Sequence, residues 1–282
     1  MRLSEPETGS NFYRGLWHEA RCQGSMACCP VTYMSLEFNF FPMDNDTVRF
    51  LNPAYTFRLS VAALLFVSVI LSGCLGRGTV FDPKATIRCV FDDERLRLTA
   101  DYCRTHYGVD SYRLTKPEMI VVHYTAIPTF EESYRFFAQV TLDTVLRKDI
   151  SSGGQVNLAA HYLVDLDGAV FQLAPDNVVC RHTIGFNHTA IGIENVGKSA
   201  ADLTEAQAAS TADLVSRLVM RHPSIAYLIG HYQYRDSGLP HYRLFKEGDP
   251  SYRLTVKIDP GPVFMARVRA LLEERYGLVL LE

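Results

Sequence analysis

Short β-branched runs alternate with capped, amphipathic helices, and one hairpin interrupts the alternation. Together these predict an α/β fold: a single domain with a mixed central β-sheet flanked by helices. Composition agrees, since the chain has 282 residues of which 48% are hydrophobic, enough for one sizeable core and too apolar for disorder. The formal net charge of −3 shows no basic excess, so no nucleic-acid partner is expected.

The elements follow in order. DDERLRLTADYCRTHYG predicts a helix with Leu96, Ala100 and Cys103 on one face and Gly108 as its stop. Met119-Ile120-Val121-Val122 reads as a buried strand that ends at His123. Thr129 and Glu132 have the spacing of a capping box and open a helix running to about Ala138. Gly153-Gly154 marks a loop, and HYLVDLDGAVFQLAP places two apolar runs around Asp167-Gly168, a hairpin signal. Ala190–Glu194 reads as another strand. Thr204 and Gln207 then open a second capped helix, with Ala208, Ala212, Val215 and Val219 along one stripe. Ile225–Gly230 is a strand ending at His231. After a tyrosine- and charge-rich loop, VKIDPGP leads into a last helix, with Pro262 in its first turn and Phe264, Val268, Leu271, Leu272 and Arg275 on one side.

The N-terminal part reads differently. LSVAALLFVSVIL, residues 59–71, is uncharged, preceded by Arg58, and shorter than the roughly 20 residues that span a bilayer. It fits the apolar region of a secretory signal, and the following Leu71-Ser72-Gly73-Cys74 resembles a lipobox, which makes Cys74 the lipidation site. A membrane partner through a lipid anchor follows, and with Leu75 after the cysteine the expected place is the outer membrane, facing the periplasm. The expected organisation is a leader and signal over 1–73, a tether over 74–90 and the folded domain over 91–282. A leader reaching back from Arg58 to Met1 is unusual, and Met34 or Met43 would give a more ordinary start. Cys22, Cys28 and Cys29 have no second half with ligand spacing, so no metal site is read there. An oxidising envelope permits disulfides, and Cys89 and Cys103 are near enough in sequence to pair.

Three polar side chains share an address. His123 and His231 each end a strand, and Asp259 ends an extended stretch before Pro260-Gly261-Pro262. In such a stretch Lys257, two residues earlier, points the same way as Asp259. Two imidazoles and a carboxylate with an open position match a catalytic zinc site. They equally match core or capping residues satisfied by the backbone.

VVHYTA, HYLVDLDGAVFQL, HTAIGIENVG, LIGHYQY and KIDPGPVF occur in the order found in zinc-dependent N-acetylmuramoyl-L-alanine amidases. Over about residues 118–276 the chain resembles that family, which includes phage lysozyme-type amidases and peptidoglycan recognition proteins. The resemblance implies the amidase type 2 fold, Zn2+ as cofactor, and His123, His231 and Asp259 as its ligands. It implies catalytic roles for Glu194, as general base and acid, and for Lys257, which would stabilise the oxyanion. It also implies His182 and Asn187 as substrate contacts, and peptidoglycan or muropeptide as substrate, cleaved between N-acetylmuramic acid and L-alanine. A non-catalytic peptidoglycan-binding lipoprotein of the same fold is the alternative reading.

Three departures from the family pattern stand out. Arg181 and Thr183 flank His182 where the family often has Trp and Ala, and Ala160 stands where some relatives have a catalytic tyrosine. The segment between His231 and Asp259 is long, so it either walls the groove or is a solvated insertion. His161 is expected to be structural. His106, His188, His222 and His241 are expected in solvent or loops.

Overall fold

The computed structural model describes residues 79–282, so the leader, the apolar run and Cys74 lie outside the described residues. The strands are β1 (Thr86–Ile87), β2 (Met119–Tyr124), β3 (Tyr162–Val164), β4 (Val170–Gln172), β5 (Ala190–Asn195) and β6 (Tyr227–Gly230). They form a 6-stranded sheet in the order β1-β4-β3-β5-β2-β6. Only β3 and β4 pair antiparallel, through the expected hairpin, and every other neighbouring pair is parallel. The mixed sheet is therefore as the sequence predicts.

Parallel strands at the centre of a sheet are covered on both faces, which is why β2 and β5 read as continuous apolar runs. Met119, Ile120, Val121, Val122, Ile191 and Ile193 are all fully buried. Each such side chain contributes about 2 kcal/mol by leaving water. The helices are α1 (Asp93–Tyr107), α2 (Phe130–Ala138), α3 (Glu205–Arg221) and α4 (Pro262–Tyr276), and α3 packs against α4. Thr204 and Gln207 form the full capping box predicted, whereas Thr129 accepts from the N–H of Glu132 but the Glu132 carboxylate turns back to the Thr129 hydroxyl instead of its backbone N–H; Asp92, unmarked in the sequence reading, caps α1. Gly108 ends α1 in the left-handed conformation.

Two predicted faces need correction. α1 buries Arg95, Leu98, Thr99, Tyr102, Cys103, His106 and Tyr107, while Leu96 and Ala100 are only half-buried. The rotation follows from Arg95, whose guanidinium donates to the carbonyls of Val90, Phe137 and Leu158 and so enters the core. On α4, Met265 is buried and Arg275 is exposed.

The tether expected over 74–90 is corrected for its described part. Residues 79–90 lie along the sheet edge, where Thr86 and Ile87 pair with Phe171 and Gln172. Asp82 is buried, accepting from Arg217 Nε at 2.9 Å and Arg221 Nη1 at 3.1 Å. No helix among the described residues is long and apolar enough to cross a membrane.

Candidate active site

Strand register builds the site. His123 pairs with Glu194 across β2 and β5, and Val122 pairs with Gly230 across β2 and β6, so His231 follows at the same level. Paired residues of parallel strands project to one face, so the ends of three neighbouring strands present Glu194, His123 and His231 in a row. The fourth group comes from VKIDPGP. The N–H of Tyr232 donates to the carbonyl of Asp259 at 2.9 Å, which draws that segment against the end of β6. Val256 and Ile258 are 77% and 71% exposed while Lys257 and Asp259 turn inward, the alternation of an extended chain.

His123 Nδ1 lies 2.9 Å from His231 Nδ1 and 3.1 Å from Asp259 Oδ2, and His231 Nδ1 lies 3.0 Å from the same oxygen. Three electron-pair donors so close together fit one cation, because ligands at about 2.0 Å from a tetrahedral zinc are themselves roughly 3.3 Å apart. The donor set, two imidazole nitrogens and a carboxylate oxygen, is the type zinc takes at catalytic sites. Burial lowers the pKa of His231 to about 4, so it offers a lone pair at neutral pH. Burial pushes the Asp259 carboxyl upward, but His231 and His123 outweigh it and hold the group well below the usual range.

Glu194 behaves in the opposite way. Burial raises its pKa to about 7, with Asp259 adding to the rise and His123, Lys257 and Arg147 opposing it. Its Oε2 is buried and has no hydrogen-bond partner. Lys257 is lowered from the ordinary lysine value, by burial first and by Arg147 second. Arg147 pairs with Asp149 at 3.1 Å, and both charges act on Lys257. Neither was legible in the sequence, since they belong to no motif and reach the site only through the fold.

A sequence model of N-acetylmuramoyl-L-alanine amidases matches residues 113–262, which contain every member of this cluster. The chain belongs to that amidase family. It is similar to several solved structures. One is a selenomethionine AmpD derivative, at 21% identity over 68% of this chain and 96% of that one, with a TM-score of 0.43. Another is the amidase LysC of Clostridium intestinale URNW, at 24% identity over 46% and 79%, with a TM-score of 0.33. A third is peptidoglycan recognition protein LE solved with tracheal cytotoxin, at 25% identity over 47% and 79%, with a TM-score of 0.36. No curated protein matches the sequence.

Other residues named from the sequence lie around the cluster of His123, His231 and Asp259. His161 is fully buried, accepting from the N–H of Gly192 at Nδ1 (3.0 Å) and donating from Nε2 to Val178 O (2.9 Å), the structural role expected. His182 stands behind His123, and burial, then His123 and His161, lower its pKa well below the histidine range. Asn187 is fully buried, with Oδ1 accepting from the N–H groups of His182 and Thr183 and Nδ2 donating to Tyr102. Fully buried, it braces the turn that carries His182.

The segment between His231 and Asp259 is not a solvated insertion. Tyr234 and Tyr252 are buried, and the hydroxyl of Tyr252 accepts from Arg181 at 3.1 Å. Gly248 N donates to His106 O, and His106 itself is buried, 2.6 Å from Glu247. His106 and His241 are thus core residues, while His222 is half-buried beside Asp176 at 3.0 Å. His188 is half-buried as well. Cys103 is a buried thiol, pushed up to about 12 by burial, rather than half of a bridge with Cys89.

Proposed function

We propose that this chain is a zinc-dependent amidase that hydrolyses the bond between N-acetylmuramic acid and the L-alanine of the stem peptide, in peptidoglycan or muropeptides. One observation carries the reading. Glu194, a buried carboxylate with a free Oε2 and a pKa near 7, stands in register beside two histidines whose Nδ1 atoms converge with Asp259. His123, His231 and Asp259 would hold the zinc. When bound, it supplies a Lewis acid and a water that ionises near neutral pH, at a pKa of about 7.

The chain's own residues do the rest. Glu194 takes a proton from the attacking water and returns it to the departing amide nitrogen, and a pKa near the working pH suits both transfers. Amide nitrogen leaves poorly without that proton. Lys257, inward-facing and cationic, meets the negative charge that develops on the carbonyl oxygen. Arg147 and Asp149 set the field in which Lys257 works.

Lipid anchoring through Cys74, with retention at the outer membrane, belongs to the same proposal. It would hold the enzyme in the compartment of its substrate, and fatty-acid labelling that persists in Cys74→Ser would contradict it. The activity itself is tested by incubating the purified chain with intact peptidoglycan and identifying products by mass spectrometry. Free stem peptides beginning with L-alanine are expected. Cleavage inside the peptide would overturn the substrate bond named here, and tight binding with no cleavage would make the chain a recognition protein.

A further inference from the structure

Resting on that zinc reading, we propose that His182 is a positioning residue. The loop from Arg181 to Asn187 holds its Nδ1 as the acceptor for the Nε2–H of His123, which leaves the Nδ1 lone pair of His123 aimed at the ion.

The ring geometry carries this. His123 Nε2 lies 3.1 Å from His182 Nδ1, and the two rings meet edge-on at 88° with centroids 5.2 Å apart. Nε2 and Nδ1 leave an imidazole in different directions. His182 therefore touches the nitrogen of His123 that does not face His231 and Asp259. Its own tautomer is set from the far side, because His182 Nε2 lies 3.4 Å from the carbonyl of Ala190, which only accepts. The hydrogen is then on Nε2 of His182, and its Nδ1, also 2.9 Å from the Thr183 hydroxyl, carries the lone pair. A metal-bound histidine commonly gives its other N–H to a carboxylate or carbonyl, and that partner fixes both tautomer and ring orientation. Here an imidazole occupies that place.

Three features exist to hold it there. Asn187 Oδ1 accepts from the N–H groups of His182 at 2.9 Å and Thr183 at 2.7 Å, so one side chain fixes the turn that presents the ring. The Arg181 guanidinium donates to the carbonyls of Ile150, Gly154 and Val156 at 2.6, 3.0 and 2.7 Å, which clamps the start of the loop. Gly192 is the third. A Cβ at that position would fall 2.9 Å from Cγ and Cδ2 of His182, so the glycine within Ile191-Gly192-Ile193-Glu194 makes room for this ring. With both ring nitrogens engaged and the ring behind His123, a substrate contact is the poorer account of His182.

The test compares His182→Leu, which removes the acceptor, with His182→Asn, whose Oδ1 takes the place of Nδ1. Zinc affinity is read by competition with a chromophoric chelator, with thermal unfolding recorded to confirm folding and kcat and KM measured on a soluble muropeptide. Zinc affinity is expected to fall about 10–100-fold in His182→Leu and to recover most of that in His182→Asn. Gly192→Ala, which displaces the ring without removing it, is expected to lower zinc affinity in the same direction. Unchanged zinc affinity in a folded His182→Leu, with a raised KM, would overturn the proposal and make His182 a substrate contact. A wild-type chain that binds no zinc through His231 and Asp259 would instead overturn the functional reading on which this one rests.

Discussion

Glu194 and Asp82 are both buried carboxylates, and the fold treats them in opposite ways. Asp82 accepts from two arginines and from the N–H of Lys84; burial pushes its pKa up, but these partners prevail and the net shift is downward. Around it Asp176, Arg217, Arg221, His222 and the Tyr162 hydroxyl form a paired cluster. Glu194 has an unpartnered oxygen, and burial raises its pKa to about 7. Polar groups in a protein interior are normally satisfied, so an unpartnered carboxylate oxygen beside converging histidines and an aspartate marks a candidate site of reaction. One cluster fastens the chain to the sheet. In the function proposed above, the other serves the reaction.

The sharpest way to break this contrast is to exchange function for stability at each carboxylate. Glu194→Gln keeps the shape and removes the proton acceptor, so kcat is expected to fall about 1,000-fold, within the range of general acid–base catalysis. Turnover within tenfold of wild type would refute the role. Asp82→Ala is expected to leave kcat unchanged and to cost about 2 kcal/mol in denaturant unfolding, because Arg217 and Arg221 each lose one of two carboxylate partners. A loss of activity without a loss of stability would mean that the two clusters are not separate.

Lys257→Ala is expected to lower kcat about 100-fold with little change in KM, as for loss of one oxyanion donor. A change confined to KM would recast Lys257 as a binding residue. The smallest effect is on stability against pH in the metal-free chain. Glu194 has a folded pKa of about 7 above its ordinary 4.5, so its contribution is present below pH 4.5 and lost as pH rises through 7. At most this is about 3 kcal/mol. Glu194→Gln should therefore gain stability over wild type as pH rises from 5 to 8. Asp82 has a lowered folded pKa, so its contribution is present above 3.8 and fades as pH falls. Parallel curves for wild type and Glu194→Gln would show that Glu194 does not titrate as described.

What the sequence revealed and what it hid divide along the same line. The strands, the hairpin at Asp167-Gly168 and the capped helices came from local chemistry, because β-branched runs and capping residues act over a few positions. The cluster of His123, His231 and Asp259 was legible because each member ends a strand or precedes a break, and the resemblance then joined them. Asp82 was hidden, since one aspartate in a stretch with glycine and proline carries no pattern until α3 supplies Arg217 and Arg221. Arg95 was hidden too, because apolar periodicity ignores a cation that the carbonyls of Val90, Phe137 and Leu158 admit to the core. The segment between His231 and Asp259 looked like a free loop because its tyrosines and Glu247 find partners on α1 and near Arg181, far away in sequence. His182 was noticed, but its place behind His123 is a long-range contact, marked in the sequence only by Gly192.

The most direct test strips the purified chain of metal and titrates zinc back while following release of stem peptide from a muropeptide. No activity is expected without metal, full recovery is expected at one zinc per chain, and no recovery is expected in Asp259→Ala at the same zinc concentration. Activity that survives complete metal removal, or that returns equally in Asp259→Ala, would contradict the zinc-dependent function.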